Sequence, residues 1–260
     1  MAKYPFTCAL VTGASSGIGQ EIVVQLAMSG VSLVVVARRA DRLEALAARF
    51  KNVEVIVADL STINGVIQVE ARITDSSKTP IDLVVNNAGF GSSGLMHEID
   101  LDRLSREIHV NVLALTRLSH AAIKAMVPNG RGYLLNVSSI ASFQPGPRAA
   151  VYSATKAYVT SFTEALHEEL RGTGVRVTAL CPGFTRTEFS EVSGTNSIAS
   201  QVPNFAWLEA TDVAREGLRD VARGRALSVP GAFYKGLVTV SDFAPRSLVR
   251  RISSFATGRR

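Results

Sequence analysis

Seven short runs of Val, Leu, Ile and Ala constrain this 260-residue chain most. They cover residues 7–12, 31–37, 53–57, 83–86, 133–137, 176–180 and, more weakly, 227–229, each bounded by Gly, Asn, Asp or Pro. Their apolar residues are consecutive rather than alternating, the pattern of strands buried on both faces. Segments of helical period lie between them. Ile18, Ile22 and Leu26, closed by Gly30, describe one helix, and Leu43, Leu46, Ala47 and Phe50 another. The longest are 101–126 and 152–170. Strand–helix alternation over nearly the whole length predicts parallel strands joined by right-handed crossovers. The expected fold class is therefore α/β, a single doubly wound Rossmann domain with a seven-stranded parallel sheet and helices on both faces. The domain is expected over 1–230, with 231–260 as a C-terminal extension.

The first strand run leads into Thr12-Gly13-Ala14-Ser15-Ser16-Gly17-Ile18-Gly19. Glycines there let the backbone turn tightly and approach a pyrophosphate, and the N-terminus of the following helix offers N–H groups and partial positive charge. Gly13, Ser15, Ser16, Gly17, Ile18 and Gly19 are the candidate phosphate contacts. The spacing is G-x-x-x-G-x-G, not the commoner G-x-G-x-x-G. The same turn also matches G-x-S-x-G, the nucleophile elbow of serine hydrolases, with Ser15 as nucleophile. That elbow needs an oxyanion donor from a loop after an earlier strand, and only a few residues precede this turn.

The second strand run ends at Ala37 and is followed by Arg38-Arg39. An NAD-selective site carries an acid here for the ribose 2′-hydroxyl. Two guanidinium forks suit a 2′-phosphate instead, so NADP(H) is expected in preference to NAD(H). Asp59, with Leu60 beside it, closes the third strand run and is placed to accept a hydrogen bond from an adenine amino group; helix N-capping is its competing role.

Tyr152 and Lys156 stand at i and i+4 on one helix face. A phenol titrates near ~10 in water, and a neighbouring ammonium is expected to lower that value and make it an acid–base group. Ser139, at the end of the fifth strand run, is placed to hydrogen-bond a carbonyl; turn chemistry is its competing role.

Taken together these residues resemble the short-chain dehydrogenase/reductase family over about residues 7–230. The resemblance rests on Thr12–Gly19, Asn86-Asn87-Ala88-Gly89, Asn111 in a long helix, Ser139 thirteen residues before Tyr152, Lys156, and Pro182-Gly183 followed by Thr187. It implies an NADP(H)-dependent oxidoreductase. By the resemblance, Tyr152 exchanges a proton with the substrate oxygen, Ser139 hydrogen-bonds that oxygen, Lys156 holds the nicotinamide ribose and lowers the tyrosine pKa, and Asn111 holds a relay water. Asn87, Ala88 and Gly89 stabilise the sheet beside the cofactor, and Pro182, Gly183, Thr185 and Thr187 position the nicotinamide. Arg38 marks the NADP(H) preference.

Composition narrows the alternatives. The net charge is +6, but 243–260 holds five arginines and no acids, which leaves 23 basic groups against 22 acidic elsewhere. A body so balanced does not suit nucleic-acid binding. Cys8 and Cys181 sit in apolar strand runs as buried thiols, and no Cys/His spacing suits a metal. His167-Glu168-Glu169 begins like a zinc-protease helix but has Arg171 where the second histidine belongs. No run approaches the ~20 apolar residues of a membrane span, and the N-terminus does not read as a secretory signal, so a cytoplasmic location is expected.

Residues 184–209 form an irregular stretch beyond a strand end, read as a substrate flap. Its Phe184, Phe189, Phe205 and Trp207 point to an apolar or bulky carbonyl substrate, such as a 3-oxoacyl chain, a steroid-like ketone or a xenobiotic ketone. Family members pair through the two long helices, which implies a homo-oligomer. Leu248, Ile252 and Phe255 with adjacent arginines describe a short basic amphipathic helix, expected to pack on the domain, with peripheral membrane contact as the lesser alternative. A tail following an edge strand would block a second contact, which favours a dimer over a tetramer. Two other function classes stand beside the oxidoreductase: a non-catalytic NADP(H)-binding redox sensor, which would not need Ser139, Tyr152 and Lys156 together, and the Ser15 hydrolase.

Overall fold

The computed structural model describes residues 4–195, 200 and 202–243. The seven expected strands are present within one residue at either end: β1 (Cys8–Thr12), β2 (Ser32–Ala37), β3 (Val53–Val57), β4 (Leu83–Asn86), β5 (Gly132–Val137), β6 (Val175–Leu180) and, after a small parallel pair β7 (Thr185–Arg186) and β8 (Leu208–Glu209), β9 (Leu227–Ser228). The main sheet is wholly parallel in the order β3-β2-β1-β4-β5-β6-β9.

Strand pleating sends successive side chains to opposite faces, and both faces of this sheet are covered. Ala9 and Val11 of β1 join Leu33 and Val35 of β2 in one core, packed against Ile22, Val23 and Leu26 of α1 (Gly17–Met28) and Leu43 and Leu46 of α2 (Ala40–Ala47). Val213, Leu218 and Val221 of α8 (Ala210–Arg223) complete that layer. Cys8, Leu10, Val34 and Val36 face the other way, toward Val66 and Val69 of α3 (Ile63–Thr74) and Leu118 and Met126 of α5 (Leu115–Met126). Leu166 of α6 (Ala150–Glu169) lies on that side too. Consecutive apolar residues are thus explained position by position.

The strand order reverses between β1 and β4, so the crevice at their carboxyl ends is the natural ligand position. Three features place the site there. Gly13 (φ +65°) and Gly17 (φ +56°) carry the turn from β1 into α1. The expected helix over 101–126 is not continuous: α4 (Leu101–Ile108) meets α5 through a π-helical segment, His109–Ala114, that contains Asn111. Such wide turns are rare and cluster at functional positions; here Thr116 Oγ1 donates to the Val112 carbonyl at 2.8 Å and so satisfies part of the disturbed ladder. Finally, α9 (Ala232–Phe243) folds back so that Tyr234 and Val238 are buried with Cys181 and Val229. The basic segment around Leu248, Ile252 and Phe255 lies outside the described residues.

Candidate active site

The glycine turn is locked to the loop after β4. Asn87 Nδ2 donates to the carbonyls of Thr12 (2.9 Å) and Gly13 (3.2 Å), and Thr12 Oγ1 accepts from the backbone N–H groups of Asn87 and Ala88, both at 3.0 Å. Side chains at the glycines would break this fit. A Cβ on Gly19 would lie 2.4 Å from both Asn87 Nδ2 and Gly13 O, and one on Gly13 2.7 Å from Asn87 Nδ2. Ser16 makes no capping bond and the first turn of α1 carries no acid. Its free N–H groups therefore suit an anion, and a cradle of this shape fits the pyrophosphate of a dinucleotide.

Beside the cradle, Arg39 rather than Arg38 faces the turn. Its guanidinium donates to Ser15 Oγ (3.2 and 3.1 Å) and Ser16 Oγ (2.9 Å), and to Glu188 Oε2 at 2.9 Å. Arg42 at the start of α2 donates to the other oxygen of Glu188 at 2.6 Å. The two arginines hold the Glu188 carboxyl below its usual range, Arg42 more than Arg39. Arg38 is exposed. Arg39 and both serines are among the residues the sequence marks; Arg42 and Glu188 are not. The signal for Arg42 was its spacing, one helical turn after Arg39; Glu188 had none, because its partners lie about 150 residues away in the chain. Asp59 neither caps α3 nor stands free. Its carboxylate accepts from Ser61 N–H (2.9 Å) and Ser61 Oγ (2.8 Å), while Thr62 caps α3 through Gly65 N–H at 3.1 Å. Leu60 beside it is buried in the core.

Ser139, Tyr152, Lys156 and Asn111 converge at the carboxyl edge of β4 and β5. Lys156, only 5% exposed, donates from Nζ to the Val137 carbonyl at 2.8 Å, and Nζ lies 5.8 Å from the centre of the Tyr152 ring. Burial pushes the ammonium down to about 8. Burial also pushes the Tyr152 phenol up to about 12; the Ser139 hydroxyl opposes that rise, and Glu107 and Cys181 add to it. The expectation that Lys156 lowers the phenol is therefore not met in the free protein: its Nζ is turned to a carbonyl, and loss of water around the phenol outweighs it. Ser139 also fulfils its competing role, because its Oγ accepts from Ala141 N–H at 3.1 Å and caps a short turn.

Asn111 clamps the loop after β4. Its Nδ2 donates to Phe90 O (2.8 Å) and Thr155 Oγ1 (3.1 Å), and its Oδ1 accepts from Phe90 N–H (3.2 Å). A Cβ on Gly89 would lie 2.9 Å from Asn111 Oδ1 and 3.5 Å from Lys156 Nζ, so a side chain at this position would crowd Asn111. Behind this group, residues that the motifs did not mark hold α6 to the sheet. Ser138 Oγ bonds the Lys156 carbonyl (2.8 Å) and Thr160 Oγ1 (2.7 Å), and Asn136 Nδ2 donates to Thr163 Oγ1 (3.0 Å). Glu107 is wholly buried nearby, and burial pushes its carboxyl up.

Pro182, Gly183, Thr185 and Thr187 follow β6. The Pro182 carbonyl accepts from Ile140 N–H at 3.1 Å, and Thr185 Oγ1 donates to Gly183 O at 2.9 Å. Thr187 packs against Gly17, where a Cβ would lie 3.0 Å from its Cγ2. Tyr234 of α9 braces the segment: its hydroxyl accepts from Phe184 N–H (3.2 Å) and donates to Ala206 O (2.7 Å). The short helix α7 (Phe189–Val192) then crosses the cleft. Phe189 meets the Tyr152 ring with centres 5.5 Å apart, and Ser193 Oγ accepts from Gly91 N–H at 3.0 Å. Phe184 packs on Trp207 at 5.8 Å. Phe205 is 73% exposed and packs on Phe233 of α9.

A doubly wound sheet with a glycine cradle at its switch point and a tyrosine–lysine pair beside it defines a dinucleotide-type α/β protein with an acid–base centre. Residues 7–197 match the family described as short chain dehydrogenase. The chain is 37% identical to an uncharacterized oxidoreductase of Myxococcus xanthus, over 95% of this chain and 100% of that one. Among solved structures, a short-chain dehydrogenase from Sphingobium yanoikuyae in complex with NADPH superposes with a TM-score of 0.82 at 32% identity, covering 94% of this chain and 95% of that one. The bulky-bulky ketone specific alcohol dehydrogenase from Comamonas testosteroni superposes with a TM-score of 0.77 at 30% identity, over 91% and 92%. The chain belongs to the short-chain dehydrogenase family of oxidoreductases.

Proposed function

We propose that this protein is an NADP(H)-dependent oxidoreductase that moves a hydride between the nicotinamide and a carbonyl or secondary alcohol, working mainly as a reductase. The observation that carries the reading is the pairing of one cleft's two ends. Arg39 is aligned on Ser15 and Ser16 at one end, and Tyr152, Ser139 and buried Lys156 gather at the other.

A nicotinamide cofactor held along this cleft supplies the hydride. Gly13, Gly17, Ile18 and Gly19 form the pyrophosphate cradle; Arg39, with Arg38, Ser15 and Ser16, meets the 2′-phosphate; Asp59 and Leu60 border the adenine. Asn87, Ala88 and Gly89 line the sheet edge, and Pro182, Gly183, Thr185 and Thr187 flank the nicotinamide position. The Ser139 hydroxyl orients the substrate carbonyl oxygen, and the Tyr152 hydroxyl gives that oxygen a proton. Lys156 would hold the ribose, and Asn111, which lies with Lys156 Nζ beside Gly89, would hold the water that resupplies the proton. A phenol pushed up by burial is protonated at neutral pH, the form that gives a proton in carbonyl reduction.

Phe189 over Tyr152, and the similarity to a dehydrogenase named for bulky-bulky ketones, support an apolar or bulky substrate. Ser15 is poorly suited to be a hydrolase nucleophile, since its oxygen accepts from Arg39 rather than giving a proton to a base. The reading keeps a cytoplasmic location; among the described residues no helix is long and apolar enough to cross a membrane. It also keeps residues 231–260 as an extension of a 1–230 domain, of which Tyr234 and Val238 pack against it.

The test is consumption of NADPH and NADH against a panel of ketones, with wild type and Tyr152→Phe in parallel. NADPH turnover that falls by about 10²-fold or more in the variant is expected. Tight NADPH binding with no turnover of any ketone by either protein would favour the sensor class instead.

A further inference from the structure

We propose that Glu188 is a built-in competitor for the cofactor's phosphate subsite, so that a 2′-phosphorylated dinucleotide must displace it and thereby lifts α7 away from Tyr152. The proposal deepens the NADP(H) reading and rests on it.

In the free protein the anion partner of Arg39 and Arg42 is a carboxylate from the chain's own flap. Arg39 holds Ser15, Ser16 and Glu188 with one guanidinium, so the guanidinium suited to a 2′-phosphate is already engaged on an acid. Glu188 is also the residue immediately before α7. The next residue, Phe189, covers Tyr152, and the far end of the same helix is tied down through the Val192 carbonyl, which accepts from Arg103 at 2.7 Å, and through Ser193 on Gly91. One short element, held at both ends, therefore runs from the arginine pair to the phenol. It cannot keep Glu188 on Arg39 while a phosphate monoester takes that place.

The exchange is favourable in one direction. A phosphate monoester brings roughly −1.5 to −2 charge and three acceptor oxygens, against one charge and two oxygens on the carboxylate. Arg39 and Glu188 have side chains 40% and 39% exposed, so these ion pairs are weak enough to be given up. A dinucleotide without the 2′-phosphate has nothing to exchange for Glu188. It would bind with the flap still resting on Tyr152.

Calorimetric titration of the full chain with adenosine 2′,5′-bisphosphate and with 5′-AMP tests this directly, on wild type and Glu188→Gln. The glutamine keeps the size of a half-exposed side chain. It is expected to bind the bisphosphate about three- to tenfold more tightly, as loss of two surface ion pairs implies, and 5′-AMP unchanged. Emission from Trp207, the only tryptophan, whose ring lies 5.4 Å from the Arg186 guanidinium in the same segment, reports the flap. The bisphosphate should shift it in wild type, and the variant should start shifted. Unchanged or weaker bisphosphate binding by Glu188→Gln would overturn the proposal; weaker binding would make Glu188 a positioning residue for the arginines. A wild type that binds both nucleotides equally would instead overturn the NADP(H) reading beneath it.

Discussion

Tyr152 and Lys156 show how far one pair of side chains is governed by its surroundings rather than its spacing. Both lose water, and burial moves them in opposite directions, the phenol up to about 12 and the ammonium down to about 8. Each shift favours the neutral form. The sign of the pH dependence follows. Carbonyl reduction uses the protonated phenol, so its kcat/KM should stay level through pH 6–7, below the value of about 8 near which Lys156 loses its proton. Alcohol oxidation needs the phenolate, so its kcat/KM should climb about tenfold per pH unit over the same range. A flat oxidation profile would mean that bound cofactor and Lys156 together bring the phenol down by several units. The sequence made the participants of this site legible, since Tyr152, Lys156, Ser139 and Asn111 all stand together. It did not make their electrostatics legible, because the Lys156–Val137 contact and the buried Glu107 depend on how α4 and α6 pack.

Elements were read well where periodicity is strong and less well where tertiary contacts decide. Every strand of the main sheet was found, since runs apolar on both faces have few alternatives. The π-helical segment at His109–Ala114 was not, because a helix with one wide turn has nearly the same hydrophobic pattern as one without. The C-terminal helix α9 was also missed as part of the site's frame. Its Tyr234 is 2% exposed and joins two stretches of the flap through a single hydroxyl, and Gly183 has no side chain because the Tyr234 ring fills that space, 2.1 Å from where a Cβ would be. Tyr234→Phe keeps the ring and removes the hydroxyl, leaving Phe184 N–H and Ala206 O without it. A loss of about 1–3 kcal/mol in stability is expected by thermal or urea denaturation, together with a higher KM for the cofactor, since the braced segment contains Thr185 and Thr187. No change in either would show that the bracing is not needed.

At the scale of the whole molecule, the exposed apolar side chains are not scattered evenly. Leu101 (70% exposed), Ile108 and Leu113 lie along α4 and the π-helical segment, and Tyr158 of α6 joins the neighbouring α5 through its hydroxyl, 3.0 Å from Thr116 Oγ1. A surface of this kind suits a second copy of the chain. A homodimer is the expected species by light scattering, and Leu113→Asp should shift it toward monomer; a tetramer would overturn the idea that the C-terminal extension blocks a second contact.

The sheet order has a consequence for the growing chain. β1 is the third strand from one edge, yet only one of its two neighbours, β2, follows it closely. The other is β4, and the bonds that fasten the start of β1, from Thr7 and Cys8 to the Asp82 carboxylate, span some 75 residues. During synthesis the segment before β4 must therefore wait, with one edge of β1 unpaired, until residues 82–86 emerge. Pairing on both edges of β1 thus waits for a late partner, and the glycine turn is held by Asn87 only once that partner has arrived.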